Sequence, residues 1–328
     1  MKKLQVGIMG GAGYTGGELV RVLLNHERVE LKVVQSRSQA GKPLSHSHAD
    51  LIGQTDLVFS PSVAPELANL DALFLALPHG ESKLFFDDNS IPANLKLIDL
   101  SHDFRLKKTS QVGNRQFVYG LPELNRKKIR SANAIANPGC FATAIELSLL
   151  PLAKAGQVKR AFVTGITGST GAGVKPSSTS HFSFRASNIQ AYKTLSHQHV
   201  AEVEESLSSY SDSPVKVSFV PWRGDFTRGI FVSTLVQSAM PVEQALELYR
   251  DFYADHPFVH VSSDAIDLKS VVNTNRALIE ICKEGDELVI HACIDNLLKG
   301  ASGQAVQNLN LLFGLPETLG LKLKGVAF

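Results

Sequence analysis

Hydrophobic and polar positions follow two different patterns along the chain, and the change falls near its middle. In the first half, short apolar runs alternate with segments of helical period, which indicates strands separated by helices. The segments that carry this signal are Leu4–Met9, Tyr14–His26, Val29–Val34, Ala72–Leu77 and Leu95–Leu100. Such alternation is typical of a doubly wound parallel sheet. We therefore predict an α/β fold of the Rossmann type for this half.

The second half is richer in strands. Apolar or alternating runs predict strands at Val158–Ile166, Val215–Val220, Gly229–Val236, Ala277–Lys283 and Glu287–Ile294. The last two runs are separated by Glu284-Gly285-Asp286, which predicts a hairpin turn. Helical periodicity predicts helices at Cys140–Ala155, Val200–Ser209 and Val242–Tyr253. Hairpin-connected strands beside a few helices favour an α+β domain with a mixed sheet and helices on one face.

These patterns predict two domains. The Ser302–Phe313 stretch has the period of a helix, and we expect it to pack back on the first domain. The predicted nucleotide-binding domain therefore comprises residues 1–139 together with 297–328. The predicted catalytic and dimerisation domain comprises residues 140–296.

Composition removes several classes of function. A net charge of +2, with no run of five basic residues, gives no surface suited to nucleic acid. No stretch approaches the roughly 18 apolar residues that span a bilayer, and the N-terminus lacks the apolar region of a secretory leader. The three cysteines lack CxxC spacing. We therefore expect a cytoplasmic protein without a membrane or nucleic-acid partner.

A glycine motif follows the first predicted strand. Gly11-Ala12-Gly13-Tyr14-Thr15-Gly16 fits G-x-G-x-x-G and opens the first predicted helix. In this context the glycines permit a tight turn, and a pyrophosphate can approach the positive helix N-terminus. An acidic residue at the end of the second strand would favour NAD, but Ser36, Arg37 and Ser38 stand there instead. We therefore expect NADP(H).

Cys140 is the candidate nucleophile. It lies between the turn-forming pair Pro138-Gly139 and an apolar helix, and a helix N-terminus favours a thiolate. Cys282 and Cys293, by contrast, lie inside predicted apolar strands, and we expect them to be structural cysteines. His197 and His199 precede a predicted helix, and either is a candidate acid–base partner.

Two arginines are candidates for binding an anionic substrate. Arg105 and Arg228 lie beside predicted strands, and guanidinium forks suit phosphate and carboxylate. The H-x-H pair has no accompanying HExxH motif or cysteine–carboxylate cluster, so no metal site is expected.

Several motifs in order along nearly the whole chain resemble the N-acetyl-γ-glutamyl-phosphate reductases. They are Gly10–Leu19, Ser36–Ser38, Leu77–Gly80, Asp99–Arg105, Tyr119–Glu123, Asn137–Thr143, Thr167–Gly173 and Asp295–Ala301. The resemblance implies a Rossmann domain joined to an α+β domain like that of aspartate-semialdehyde dehydrogenase. It also implies a homodimer or homotetramer.

The resemblance implies the following residue roles. Cys140 is the nucleophile. The family commonly has a histidine where this chain has Trp222, and its absence here strengthens the case for His197 or His199 as the proton partner. The substrate acyl phosphate, which releases inorganic phosphate, is expected to be held by Arg105, Asn137 and Arg228. NADP is contacted by Gly10, Gly11, Gly13, Tyr14, Thr15, Gly16, Ser36, Arg37, Pro78, His79, Gly80, Ser169, Asn296 and Lys299.

One departure from the family pattern bears on substrate choice. The family commonly has Pro-His-Leu where this chain has Pro221-Trp222-Arg223, and Arg223 adds a charge there. N-acetyl is the default acyl group, and an N-succinyl substrate is the alternative. A non-covalent NADP dehydrogenase, a cysteine hydrolase and a non-catalytic NADP sensor remain as further alternatives.

Overall fold

The computed structural model describes residues 2–211 and 213–326, which form two compact units. The first unit comprises Met1–Pro138 and Ala301–Lys322, and the second comprises Gly139–Gly300 and Leu323–Phe328. The domain limits expected from the sequence include residues 1, 212, 327 and 328, which lie outside the described residues. Those limits remain a prediction.

Among the described residues, the first unit is built on an eight-stranded sheet with four α-helices. Its strands are β1 (Leu4–Met9), β2 (Val29–Gln35), β3 (Phe59–Ser60), β4 (Ala72–Leu75), β5 (Lys96–Asp99), β6 (Gln111–Val112), β7 (Arg115–Tyr119) and β8 (Ala134–Ala136). Its helices are α1 (Tyr14–Leu24), α2 (Glu81–Asp88), α3 (Pro122–Arg130) and α8 (Ser302–Leu312).

The sheet order is β3-β2-β1-β4-β5-β8-β7-β6, and every pair is parallel except the β6–β7 hairpin at one edge. The strand order reverses between β1 and β4, which is the topological switch point where doubly wound sheets bind ligands. The loop after β1 is the glycine motif, so the motif lies at that switch point. The predicted parallel α/β sheet is confirmed.

The core of the first unit is formed by strand residues of the sheet together with residues of the helices and loops that pack on it. Leu73, Leu97 and Phe104 belong to one buried cluster, in which the rings of Phe104 and Phe117 stack at 4.2 Å. Helix α8 packs against α1 and α3. Burial of these apolar surfaces stabilises the unit by roughly 25 cal/mol per Å².

In the part of the second unit that the structure describes, a seven-stranded sheet is accompanied by four α-helices. Its helices are α4 (Cys140–Lys154), α5 (Phe182–Arg185), α6 (His199–Ser208) and α7 (Val242–Tyr253). Its strands are β9 (Arg160–Thr167), β10 (Gln190–Ala191), β11 (Lys216–Arg223), β12 (Ile230–Gln237), β13 (Val259–Val261), β14 (Ala277–Glu284) and β15 (Glu287–Ile294).

This sheet has the order β10-β11-β9-β12-β15-β14-β13 and is mixed, because β11–β9 and β13–β14 are parallel whereas the other pairs are antiparallel. Burial alternates residue by residue along β9, so one face is covered and the other is open. Helix α4 packs on β12 and β15, and every residue from Phe141 to Ala153 is buried. The predicted mixed α+β domain is confirmed.

Most predicted elements are present with small changes at their ends. The first helix ends at Leu24 rather than His26, and β4 ends at Leu75 rather than Leu77. The pattern did not indicate α2, α3, β7 or β8, each of which is only three to nine residues long. Within residues 2–211 and 213–326, no helix combines the length and apolar character needed to cross a bilayer.

Candidate active site

The glycine turn after β1 is compact because its neighbours leave no room for side chains. Gly10 has φ +73°, and a Cβ there would lie 2.2 Å from the main-chain oxygen of Ala76. A Cβ on Gly11 would lie 2.1 Å from a methyl of Val34, and one on Gly16 would lie 2.6 Å from the Gly10 oxygen. These three glycines are therefore required by the fold itself.

Gly13 differs from its neighbours. Its φ is −81°, and a Cβ there would meet only the Gly10 oxygen, at 3.6 Å. Nothing in the fold requires glycine at this position, whereas a pyrophosphate close to the main chain would. Gly13 is also the N-cap of α1 and supplies no side-chain cap, so the helix N-terminus is suited to an anion.

Tyr14 and Thr15 begin α1 beside this turn. Tyr14 is partly exposed, and the Thr15 carbonyl accepts a hydrogen bond of 2.8 Å from Ser302 on α8. His48, whose Nε2 lies 2.7 Å from the Gly11 carbonyl, packs against Gly17. The turn is thus held from two sides.

Ser36 and Arg37 directly follow Gln35, the last residue of β2, as the sequence predicted. Ser36 is buried, and its N–H donates to the Ser60 carbonyl. The Arg37 side chain is 77% exposed and forms an ion pair of 2.7 Å with Glu81 in the first turn of α2. An exposed pair of this kind contributes little stability, so Arg37 can exchange its partner for a ligand at small cost.

The Pro78–Gly80 loop is exposed and is held by a buried acid. The Gly80 N–H donates to both oxygens of Asp103, at 2.8 and 3.0 Å. The rings of His79 and His102 stack at 4.0 Å, and Nδ1 of His102 lies 3.0 Å from Asp103. Asp103 therefore fixes the loop that the sequence assigned to the cofactor.

Arg105 and Asn137 are buried among main-chain groups of the first unit. Arg105 donates to the carbonyls of Asn137 (2.8 Å) and Leu100 (3.0 Å). The Asn137 amide donates to the Ala301 carbonyl at 3.2 Å, and its oxygen accepts from Asn308 at 3.0 Å. These contacts give both residues a role in shaping the segment that leads to Pro138.

Cys140 is the first residue of α4, in the second unit. Gly139 precedes it, and a Cβ on Gly139 would lie 2.4 Å from Nε2 of His199. The His199 ring is therefore packed directly against the main chain beside the cysteine. A Cβ on Gly300 would lie 2.8 Å from the Cβ of Cys140, so glycine is required on that side as well.

A buried acid links the histidine to this helix start. Glu202, one turn along α6, accepts a hydrogen bond of 3.2 Å from the Gly139 N–H. Its other oxygen lies 3.8 Å from Nε2 of His199. One carboxylate thus fixes both the turn before Cys140 and the histidine that packs on it. A buried acid on a histidine stabilises the imidazolium that proton transfer creates.

His197 has a different environment. Its ring contacts the aromatic rings of Phe141, Tyr192 and Phe219. Burial, with smaller contributions from Lys193 and Arg223, lowers the pKa of His197 to about 4. The ring is therefore neutral at pH 7, and its Nδ1 accepts a hydrogen bond from the His199 N–H.

Ser169 and Asn296 lie close together in the second unit. The Asn296 side chain accepts from the Gly229 N–H at 2.7 Å and donates to Thr170 at 3.0 Å. Ser169 follows Gly168 and is half-buried.

Lys299 and Arg228 carry the charges of this region. Lys299 is completely buried, with its ammonium 5.9 Å from the centre of the Phe258 ring. Arg228 forms an ion pair of 2.9 Å with Asp295, whose carboxylate also accepts three main-chain N–H groups. In the part of the chain that the structure describes, no group of three or more His, Cys, Asp or Glu side chains is placed to hold a metal ion.

Comparison with known proteins identifies the family. Residues 5–132 match the model of the semialdehyde dehydrogenase NAD binding domain, and residues 140–296 match that of the semialdehyde dehydrogenase dimerisation domain. The chain is 50% identical, over 99% of its length and 100% of the relative's, to the N-acetyl-γ-glutamyl-phosphate reductase of Phocaeicola vulgatus. The chain belongs to the N-acetyl-γ-glutamyl-phosphate reductase family. Its first unit carries a nicotinamide-dinucleotide-binding domain.

Other relatives agree with this assignment. The N-acetyl-γ-glutamyl-phosphate reductase of Flavobacterium johnsoniae is 47% identical over 99% of this chain and 100% of its own. Among solved structures, aspartate semialdehyde dehydrogenase II of Vibrio cholerae has a TM-score of 0.72 at 17% identity, covering 96% of this chain and 99% of its own. The aspartate semialdehyde dehydrogenase of Candida albicans, solved with NADP, has a TM-score of 0.69 at 14% identity, covering 95% of this chain and 99% of its own. These structures show the fold, and the predicted family is confirmed.

Sequence reasoning missed several residues that build these sites. Glu202, Asp103 and Glu81 each contact a residue assigned from the sequence, yet none stood out in it. A signal for Glu202 was present, since it follows His199 at the i+3 spacing of one helix face. The other two contact partners that lie more than 20 residues away, and no local pattern marks them.

Proposed function

We propose that the chain reduces N-acetyl-γ-glutamyl phosphate to N-acetylglutamate 5-semialdehyde, with release of phosphate, through a thioester on Cys140. The observation that carries this proposal is Cys140 at the start of a buried helix, with the His199 ring packed against the preceding glycine. The printed names of close relatives over the full length support the same reaction.

The first step uses the thiol. The Cys140 sulfur attacks the γ-carbonyl carbon, the bond from that carbon to the phosphate oxygen breaks, and phosphate leaves with the electron pair. The first N–H groups of a helix have no acceptor within it, so the start of α4 supplies donors for the oxyanion. The same helix end favours the thiolate form of the nucleophile.

We assign the proton transfers to His199 rather than His197. His199 lies against Gly139 and is held by Glu202, so it is placed beside the thiol. It donates a proton to the oxyanion produced by reduction and takes one back when the carbon–sulfur bond breaks. His197 accepts the His199 N–H and thereby orients that residue.

The first unit fits a bound dinucleotide. The space above Gly13 that a Cβ would fill, together with the uncapped start of α1, suits the pyrophosphate. Tyr14, Thr15, Ser36 and the loop Pro78–Gly80 would line the rest. When bound, the nicotinamide supplies the hydride that reduces the acyl group. We propose NADP(H) because Arg37 carries no buried counter-ion and suits a 2′-phosphate.

The remaining assignments follow from the contacts. Arg105 donates to the Asn137 carbonyl and Arg228 pairs with Asp295, which supports roles in positioning these two residues. We also assign Arg228 to the substrate anion. We assign Asn296, Ser169 and Lys299 to cofactor binding. The open face of the seven-stranded sheet, where Phe162 is 51% exposed, is the surface we assign to a homodimer. Cys140, Cys282 and Cys293 form no disulfide among the described residues, which supports a reducing, cytoplasmic location.

The test is the Cys140→Ser variant, with Cys282→Ser as the matched control on an exposed thiol. Phosphate-dependent NADP⁺ reduction by N-acetylglutamate semialdehyde should fall at least about 1,000-fold in Cys140→Ser and stay unchanged in the control. NADPH binding, followed by fluorescence, should persist in both, and wild-type protein should bind NADPH more tightly than NADH. Near-normal turnover by Cys140→Ser would instead indicate a dehydrogenase without covalent catalysis.

A further inference from the structure

Arg223 is a cation near the candidate catalytic residues that the mechanism above does not use. It is half-buried at the end of β11, where it pairs with Thr167 of β9. Its guanidinium carbon lies 4.9 Å from the centre of the Tyr192 ring. Its Nη1 donates to the carbonyls of Ser169 (3.2 Å) and Gly168 (3.4 Å). The side chain is therefore held in one place by a ring and two carbonyls.

The charge of Arg223 is not balanced by an acid. Arg228 is paired with Asp295 and Arg37 with Glu81, whereas among residues 2–211 and 213–326 no carboxylate lies within ion-pair distance of Arg223. A guanidinium stays charged at any physiological pH. Partial burial of that charge is unfavourable unless an anion or hydrogen-bond acceptors compensate it. Over the same residues, Nε and Nη2 of Arg223 donate to no carbonyl or carboxylate.

Ring contacts connect Arg223 to the nucleophile. Tyr192, on which the guanidinium lies, is 5.8 Å from the His197 ring, and His197 is 4.6 Å from His199. His199 packs on Gly139, directly before Cys140. Burial raises the pKa of Tyr192 to about 12; the charge of Arg223 and its hydrogen bond to Tyr192 oppose this rise, and the charge of Cys140 adds to it. All of these residues belong to the second unit.

The main chain around Arg223 is also fixed. The Arg185 side chain donates to the Arg223 carbonyl at 2.9 Å, and the Tyr192 N–H donates to the Pro221 carbonyl. Lys193, next to Tyr192, has φ +46°, which is costly for a residue with a side chain. Such conformations persist only where the surrounding structure holds them, and they cluster at active sites and ligand-binding segments.

We propose that Arg223 is a specificity-determining residue that binds a carboxylate of the substrate through its Nε–Nη2 edge. This inference rests on the proposed reductase function. The carboxylate has two possible sources, the α-carboxylate of the glutamyl group or a terminal carboxylate on a dicarboxylic N-acyl group such as succinyl. A planar guanidinium edge makes two parallel hydrogen bonds with either.

The test compares Arg223→Gln with wild type and with Arg250→Gln, a matched change at an exposed arginine of α7. Initial rates of phosphate-dependent NADP⁺ reduction are measured with N-acetyl- and N-succinyl-glutamate semialdehyde, and KM is determined for each aldehyde and for phosphate. Loss of a bidentate contact should raise an aldehyde KM about 10- to 100-fold and change kcat less than about threefold. Arg250→Gln should leave all values unchanged.

The pattern of KM values separates the sources. A rise for the N-succinyl aldehyde alone assigns the carboxylate to the acyl group, and an equal rise for both aldehydes assigns the α-carboxylate. If neither KM rises, or if only the KM for phosphate rises, the proposal is wrong. Calorimetric binding of N-acetyl- and N-succinyl-glutamate to Cys140→Ser with and without Arg223→Gln tests the same contact without turnover. It therefore remains decisive if wild-type protein reduces neither aldehyde and the proposed function fails.

Discussion

The glycine turn of the first unit and the cysteine cluster of the second are built from different parts of the chain. Gly10, Gly11 and Gly16 act through the main chain, within seven consecutive residues, and a side chain at any of them would collide with a neighbour. The cluster around Cys140 instead depends on side chains of α6, which begins 59 residues later at His199. The first site is therefore encoded locally, whereas the second exists only once the unit has folded.

The largest effect expected from this difference concerns the two histidines. Replacing His199 with Asn should lower kcat/KM by about 100- to 10,000-fold, because the proton donor and acceptor beside Cys140 is lost. His197→Asn should cost far less, because an Asn oxygen can still accept the His199 N–H. Steady-state kinetics measure the loss of kcat/KM in each variant. NADPH binding is measured as well, to check that the first unit is intact. A larger loss in His197→Asn than in His199→Asn would reverse the assignment.

How much the sequence predicts follows the same division. The glycine turn, the boundaries of β1 and the start of α4 were predictable because each depends on neighbouring residues. The place of Cys140 at a helix start was visible in Pro138-Gly139 before an apolar run. The choice between His197 and His199 was not predictable, because the two are separated by one residue and differ only in what packs around them.

Charged residues show the same limit. The sequence indicated Arg228 and Arg105 as candidate anion-binding residues. In the structure Arg228 forms an ion pair with Asp295, and Arg105 donates to main-chain carbonyls. The ion pair of Arg228 joins residues 67 positions apart, so no local pattern could reveal it. Arg223, which was noticed only as a departure from a family pattern, has no acidic partner among the described residues and keeps its guanidinium beside the Tyr192 ring.

The second effect concerns pH and the neutral state of His197. Because its folded pKa is about 4 and its unfolded value is near 6.5, unfolded chains bind more protons between these values. The contribution of the neutral His197 ring to the free energy of unfolding is complete above pH 6.5. It is lost as the pH falls towards 4, by about 3 kcal/mol in total. His197→Asn should therefore lose less stability than wild type on acidification.

The measurement is the urea midpoint at intervals between pH 4.5 and 7.5. His46→Asn, at an exposed histidine of the first unit, is the matched control and should follow wild type. Burial also lowers the pKa of His26 and His260, and both contribute equally in every variant, so only the difference between variants reports on His197. Parallel curves for wild type and His197→Asn would show that the buried ring is not held neutral.

The smallest effect tests whether the first site is made by the main chain alone. Gly13→Ala should raise the Kd for NADPH about tenfold while lowering stability by no more than about 1 kcal/mol, since an N-cap alanine is only mildly unfavourable. Gly16→Ala should lower the melting temperature of the unliganded protein, because its Cβ would lie 2.6 Å from the Gly10 oxygen. NADPH fluorescence titrations and thermal melts separate the two. If Gly13→Ala binds NADPH as wild type does, the ligand does not approach the main chain there, and the first site depends on side chains as the second does.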